Sequence, residues 1–158
     1  MAGVLIHRTA VAPEWIDYNG HLRDAYYTLI ASAATDALMQ RLGLDAEYRS
    51  RTHCTLYTLE MHIHFLREVK ASDTVAAAVR VLGADQKRLH VALELSREGD
   101  PEVAATVEVM LLHVMQAPAV SSTPFPPAVS AAIAALQRES ASLSAAGPLS
   151  RRMELRGR

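Results

Sequence analysis

A single cysteine, Cys54, stands among 158 residues, so no internal disulfide can brace the chain, and a reducing compartment such as the cytoplasm is expected. No run of 18 apolar residues occurs without a charge, which argues against a membrane-spanning helix, and no leader peptide is expected because the N-terminus has neither a basic n-region nor a long apolar h-region. Charge of one sign is not in excess either. Lys and Arg number 16 against 17 Asp and Glu, and apart from a short C-terminal cluster they are spread along the chain, which argues against a nucleic-acid footprint. No repeat of fixed period points to a solenoid.

What remains is ordinary globular composition, half apolar and about a fifth charged, in a length that suits one domain with a sizeable core. The scarce aromatics are concentrated. Between Pro13 and Tyr27 lie the only Trp and three of the five Tyr. This stretch includes Asp17-Tyr18-Asn19-Gly20-His21, a turn of the form Asp-x-Asn-Gly that leads into a helix. A carboxylate is thereby set beside the unpaired N–H groups of a helix start, where the macrodipole favours negative charge. That arrangement suits an acyl oxyanion.

Val4 to Val11 reads as a first strand that stops before Pro13. From Arg23 to Leu42 there is no Gly or Pro, Ala and Leu abound, and Gly43 offers a stop; the run predicts one long helix, apolar nearly all round and therefore wrapped by other structure. Four strand-like runs follow, at 55–66, 74–82, 88–95 and 103–115, joined by hairpin-type turns that imply an antiparallel meander. In the first of these, Tyr57, Leu59, Met61, Ile63 and Phe65 are expected to cover the helix, with Thr58, Glu60, His62 and His64 on the other face. The domain so defined spans residues 1–118. Residues 119–158 are expected to form a Pro-rich linker, an Ala-rich helix from Pro127 to about Ala145, and a disordered basic tail carrying Arg151, Arg152, Arg156 and Arg158.

A strand, a long buried helix and four antiparallel strands, in that order, resemble the α+β hotdog fold, a curved five-stranded antiparallel sheet wrapped around a central helix. Asp17-Tyr18-Asn19-Gly20-His21 resembles the Asp-x-Asn-Gly-His signature of the 4-hydroxybenzoyl-CoA thioesterase family, placed before the central helix as in that family. Within it, four patches resemble the betainyl-CoA thioesterases of carnitine breakdown: residues 13–21, Ala34-Thr35-Asp36-Ala37-Leu38, the segment from Gly83 to His90, and Met110-Leu111-Leu112-His113-Val114. Arg23 departs from the wider family, where a small polar residue is common.

The resemblance implies hydrolysis of a coenzyme A thioester with no cofactor and no metal, by a homodimer or homotetramer. It implies that Asp17 is the catalytic carboxylate, as nucleophile or general base, where sequence setting alone would equally suit a plain turn residue. His21 is expected to orient Asp17 or meet substrate, Asp24 to complete the catalytic set at the helix start, and the amides of Leu22, Arg23 and Asp24 to form the oxyanion hole. Asn19 and Gly20 are turn residues against which a ligand can approach closely. Trp15, Tyr18 and Tyr26 are candidates for a trimethylammonium group through their ring faces, with core packing as the alternative. Glu60 and His62 are expected at the acyl pocket, through the partner subunit; a lone His-x-His has low specificity as a metal motif. Lys87, Arg88 and His90 suit the phosphates of coenzyme A or, equally, a charged hairpin tip. Asp36 is expected to be buried among polar groups of the helix.

Two other functions fit the fold. A hotdog enoyl-CoA hydratase uses an Asp-x-Asn-Pro-x-His loop, but here Gly20 stands in place of Pro and the His falls one position early. A non-catalytic acyl-CoA sensor resembles this fold with a DNA-binding segment attached, and neither end of the chain reads as a helix-turn-helix.

Overall fold

The computed structural model describes residues 3–141, 143 and 147–149. Strand β1 (Val4–Ala10) is followed by one 3-10 turn at Pro13–Trp15, the helix α1 (Asp24–Arg41) and a short helix α2 (Ala46–Thr52). Four long strands come next: β2 (Cys54–Phe65), β3 (Thr74–Ala84), β4 (Arg88–Arg97) and β5 (Val103–Met115). The two-residue β6 (Ser121–Ser122) and the helix α3 (Pro127–Ala141) close the described chain. The sheet runs β1-β3-β4-β5-β2, every pairing is antiparallel, and β6 adds to the end of β5. This is the hotdog arrangement expected above, with α2 and β6 in addition.

The helix α1 lies on the inner face of the sheet along a stripe of Tyr27, Ile30, Ala31, Ala34 and Leu38, spaced three or four apart so that they share one side. They meet the inward residues of the strands, among them Val75, Ala77 and Val79 of β3, Leu89, Val91 and Leu93 of β4, and Val107, Val109 and Leu111 of β5. Full burial of an Ile or Leu such as Ile30 or Leu38 contributes about 1.5–3 kcal/mol. The small Ala31 and Ala34, both fully buried, let the helix backbone approach the sheet. The opposite side of α1, with Thr28, Leu29, Ser32, Asp36 and Gln40, is exposed. Its apolar composition therefore does not reflect enclosure all round, and Asp36 faces solvent instead of satisfying buried groups.

The strand β2 also departs from simple alternation. The register against β5 shifts between Thr58 and Glu60, so Leu59 is an extra residue and the pleat inverts there. Leu56 before the bulge, and Met61 and Ile63 after it, pack on the core, an odd spacing of five that only the bulge permits. Tyr57 and Leu59 are exposed and do not cover the helix, whereas Phe65, in step with Met61 and Ile63, meets Tyr27 of α1 edge to face while staying partly open to solvent.

The boundary expected at residue 118 separates no cores. Phe125, Val129, Ile133 and Leu136 belong to the same buried cluster as α1, and α3 packs chiefly on β3. There the β1 pairing ends at Val79, and Ser140 Oγ accepts from the Val81 N–H at 3.3 Å. The arginine-rich tail lies outside the described residues. Among the described residues, no helix is long and apolar enough to cross a membrane.

Candidate active site

The segment 16–22 closes on itself as a small hairpin. The Asp17 N–H donates to His21 O at 2.8 Å, the Gly20 N–H returns to Asp17 O at 3.0 Å, and Ile16 bridges Leu22. Gly20 sits at φ +81°, a region that a side chain disfavours, which explains a glycine at this turn. Asp17 Oδ1 accepts from the N–H groups of Asn19 (2.8 Å) and His21 (3.2 Å). These bonds, that of His21 above all, hold the Asp17 carboxyl below its ordinary value, so the group is an anion at neutral pH. Anionic, half-buried and at a loop tip, it can act as a nucleophile or accept a proton.

The turn is tied to its surroundings by backbone bonds that also decide which helix-start amides are available. The Leu22 N–H donates to Val69 O (2.7 Å) and the Arg23 N–H to Trp15 O (3.0 Å). Two of the three amides expected in an oxyanion hole are thus consumed in holding the loop. Of the three, the Asp24 N–H has no acceptor among the described residues, while the Asp24 carboxylate accepts from the Ala25 N–H at 2.8 Å. Beside it opens a cleft of about 360 Å3, lined by His21, Asp24, Tyr27, Phe65, Arg67 and Glu68 among others. The His21 imidazole Nε2 lies 3.0 Å from Glu68 Oε2, and Arg67 turns to Glu102 at 2.6 Å.

The other expected site residues are dispersed. Trp15 and Tyr26 stack on one another, with centroids 5.2 Å apart and planes 14° from parallel, so each covers a face of the other; Tyr18 is 96% exposed. Glu60 and His62 lie on the outer face of the sheet, where they line a separate cleft of about 180 Å3 with His90, Glu108 and Met110. The flanking Val107, Val109, Leu89 and Val91 point into the core, which puts the alternate residues on the opposite face from α1. His90 Nε2 is 2.6 Å from Glu108 Oε1. At the β3–β4 hairpin, Arg88 is held by Asp85 through Nε (2.7 Å) and Nη2 (2.6 Å), and Lys87 Nζ donates to Ser122 Oγ at 3.0 Å. The Lys87 and Arg88 amides and the Arg88 guanidinium lower the Asp85 carboxyl to about 2.

The model of the thioesterase-like superfamily matches residues 11–133, a span that takes in the Asp17 turn, α1 and the four long strands. The chain belongs to that superfamily. It is 50% identical over 108 residues to a betainyl-CoA thioesterase of Pseudomonas aeruginosa, covering 68% of each chain. An L-carnitine dehydrogenase/betainyl-CoA thioesterase of Rhizobium meliloti is 34% identical over 137 residues; the match takes in 87% of this chain and 27% of that longer protein. Among solved structures, a Pseudomonas putida KT2440 protein proposed to be a thioesterase superposes with TM-score 0.86 at 42% identity over 99% of both chains. A Staphylococcus aureus protein solved in complex with CoA superposes with TM-score 0.79 at 31% identity, covering 98% of this chain and 92% of that one. The protein is a thioester hydrolase.

In this thioesterase, sequence reasoning located the Asp17 turn but missed Phe65 and Glu68 as members of the cleft beside it. Phe65 reads as one more core position of an alternating strand, and its contact with Tyr27, edge to face at 5.2 Å, joins two distant segments. Glu68 had one local signal, its place in a charged pair with Arg67 directly after β2. The bridge of His21 to Lys70 brings that loop alongside the turn.

Proposed function

We propose that this thioesterase hydrolyses an acyl-CoA with a small acyl group, namely betainyl-CoA, to betaine and CoA. The observation that carries the reading is the half-identical match to the Pseudomonas aeruginosa betainyl-CoA thioesterase. In the first of two routes, the Asp17 carboxylate attacks the thioester carbon, the C–S bond breaks, and the thiolate takes up a proton; water then cleaves the anhydride. In the second, Asp17 takes a proton from the water that attacks. Both consume one water and release a carboxylic acid and a thiol. A backbone donor such as the Asp24 N–H, aimed at the developing oxyanion, would contribute about 3 kcal/mol. His21 shares the rim of the cleft and serves as orienter or proton carrier.

Coenzyme A phosphates are proposed to meet the β3–β4 hairpin of a second copy, because within one copy the eleven residues of β3 separate that hairpin from the Lys70 loop that bridges His21. Arg88 is neutralised by Asp85, so Lys87 supplies the attraction there, with His90 beside it. Glu60 and His62 enter this reading only through a second copy of the chain, because within one copy they lie across the sheet from Asp17. That copy is expected at the edge of β2, which has no partner strand on its outer side among the described residues.

Thiol release from a panel of acyl-CoAs that includes betainyl-CoA tests the reading. Betainyl-CoA is expected to have the highest kcat/KM. Equal rates across neutral and charged acyl groups would make the protein a general short-chain or aryl acyl-CoA thioesterase.

A further inference from the structure

The chemistry of the proposed substrate limits where its cation can be recognised. In a betainyl thioester, one methylene separates the quaternary nitrogen from the reacting carbonyl carbon, a distance of roughly 2.5 Å from ordinary bond lengths. Whatever recognises the cation must therefore border the catalytic turn directly. Stacking covers one face of Trp15 and one of Tyr26, and neither ring lines the cleft beside the turn; Tyr18 stands in solvent, and Glu60 is on the far face of the sheet.

The geometry points to a different set: Phe65, Asp24 and Glu68, in the cleft beside the Asp17 turn, form the subsite for the trimethylammonium group. This rests on the acyl-CoA reading of the same site. Phe65 is 55% exposed while Tyr27, against which it packs edge to face, is buried at 5%; Phe65 is thus the ring a ligand meets, and Tyr27 holds it. A quaternary ammonium donates no hydrogen bond, so an aromatic face and diffuse negative charge are what it can use. The cleft supplies both. Asp24 and Glu68 carry the negative charge, and the one arginine on the lining, Arg67, is paired with Glu102. The His21 N–H is bonded to Asp17 Oδ1 and its ring to Glu68, so a single residue links the subsite to the catalytic carboxylate.

The test compares kcat/KM for betainyl-CoA with that for 3,3-dimethylbutyryl-CoA, its neutral isostere, in the wild type and in Phe65→Leu, Glu68→Gln and Asp36→Asn. Taking the ratio removes any general effect of Glu68 on His21, because both substrates need the same chemistry. Loss of one ring contact is expected to lower the wild-type preference about fivefold in Phe65→Leu. Glu68→Gln lowers it too, and Asp36→Asn on the exposed side of α1 leaves it unchanged. Tetramethylammonium chloride, used as a competitor, should inhibit the wild type more than Phe65→Leu. A wild-type preference that survives in both Phe65→Leu and Glu68→Gln overturns this subsite and leaves the betainyl-CoA reading standing. A wild type with no preference overturns both.

Discussion

Asp17 uses one carboxylate oxygen to brace its own turn, and the same two N–H groups that it accepts keep it ionised. Asp17→Asn retains an acceptor for the turn and is expected to fold and bind, while turnover falls more than about a hundredfold, as for loss of a nucleophile or general base. A loss under tenfold would move the chemistry to another carboxylate. The pH dependence has a definite sign. The carboxyl in the fold lies below its ordinary 3.8, so turnover should hold as pH falls from neutrality until that range is passed. An acid limb centred near 6 in a pH–rate profile would assign the base to a group other than Asp17.

The elements are joined by a few buried polar contacts whose loss is measurable. The helix α2, N-capped by Asp45, is fastened to β5 through Tyr48 Oη, 2.9 Å from His113 Nε2; His113 Nδ1 in turn bonds Thr123 O at 2.9 Å. Both side chains are buried. Tyr48→Phe leaves the His113 nitrogen without its partner and is expected to cost about 1–3 kcal/mol in urea unfolding. The β3–β4 hairpin depends on pH through Asp85, whose carboxyl falls from 3.8 in the open chain to about 2 in the fold. A depressed value stabilises above the unfolded pKa and fades as pH drops through the folded one. The difference in Tm between wild type and Asp85→Asn should therefore be constant above about pH 5 and shrink towards pH 2.

For the whole molecule, the expected assembly is a dimer or tetramer. β2 is a long edge strand with Leu59 more than half exposed, and such an edge invites pairing with a copy of itself. Light scattering is expected to give at least twice the 17.2 kDa chain mass, and Leu59→Lys, which puts a charge on that edge, to shift the population towards monomer. A monomeric wild type at micromolar concentration would count against a site shared between subunits.

The local chemistry of the chain determined much of this protein. Apolar spacing and turn residues are enough to place β1, α1 and the four long strands within a few residues, and Asp17-Tyr18-Asn19-Gly20-His21 shows its turn because Asp, Asn and Gly act on their own backbone. Other features required distant segments to meet. One extra residue in β2 inverts its pleat, and that bulge is defined only against β5. The enclosure of α1 on one side, the stacking of Trp15 on Tyr26, and the burial of α3 in the common core are properties of packing, which composition does not encode position by position. The cleft is the clearest case. His21, Phe65 and Glu68 are more than forty residues apart along the chain at their extremes, and only the curl of the sheet around the start of α1 sets them on one wall.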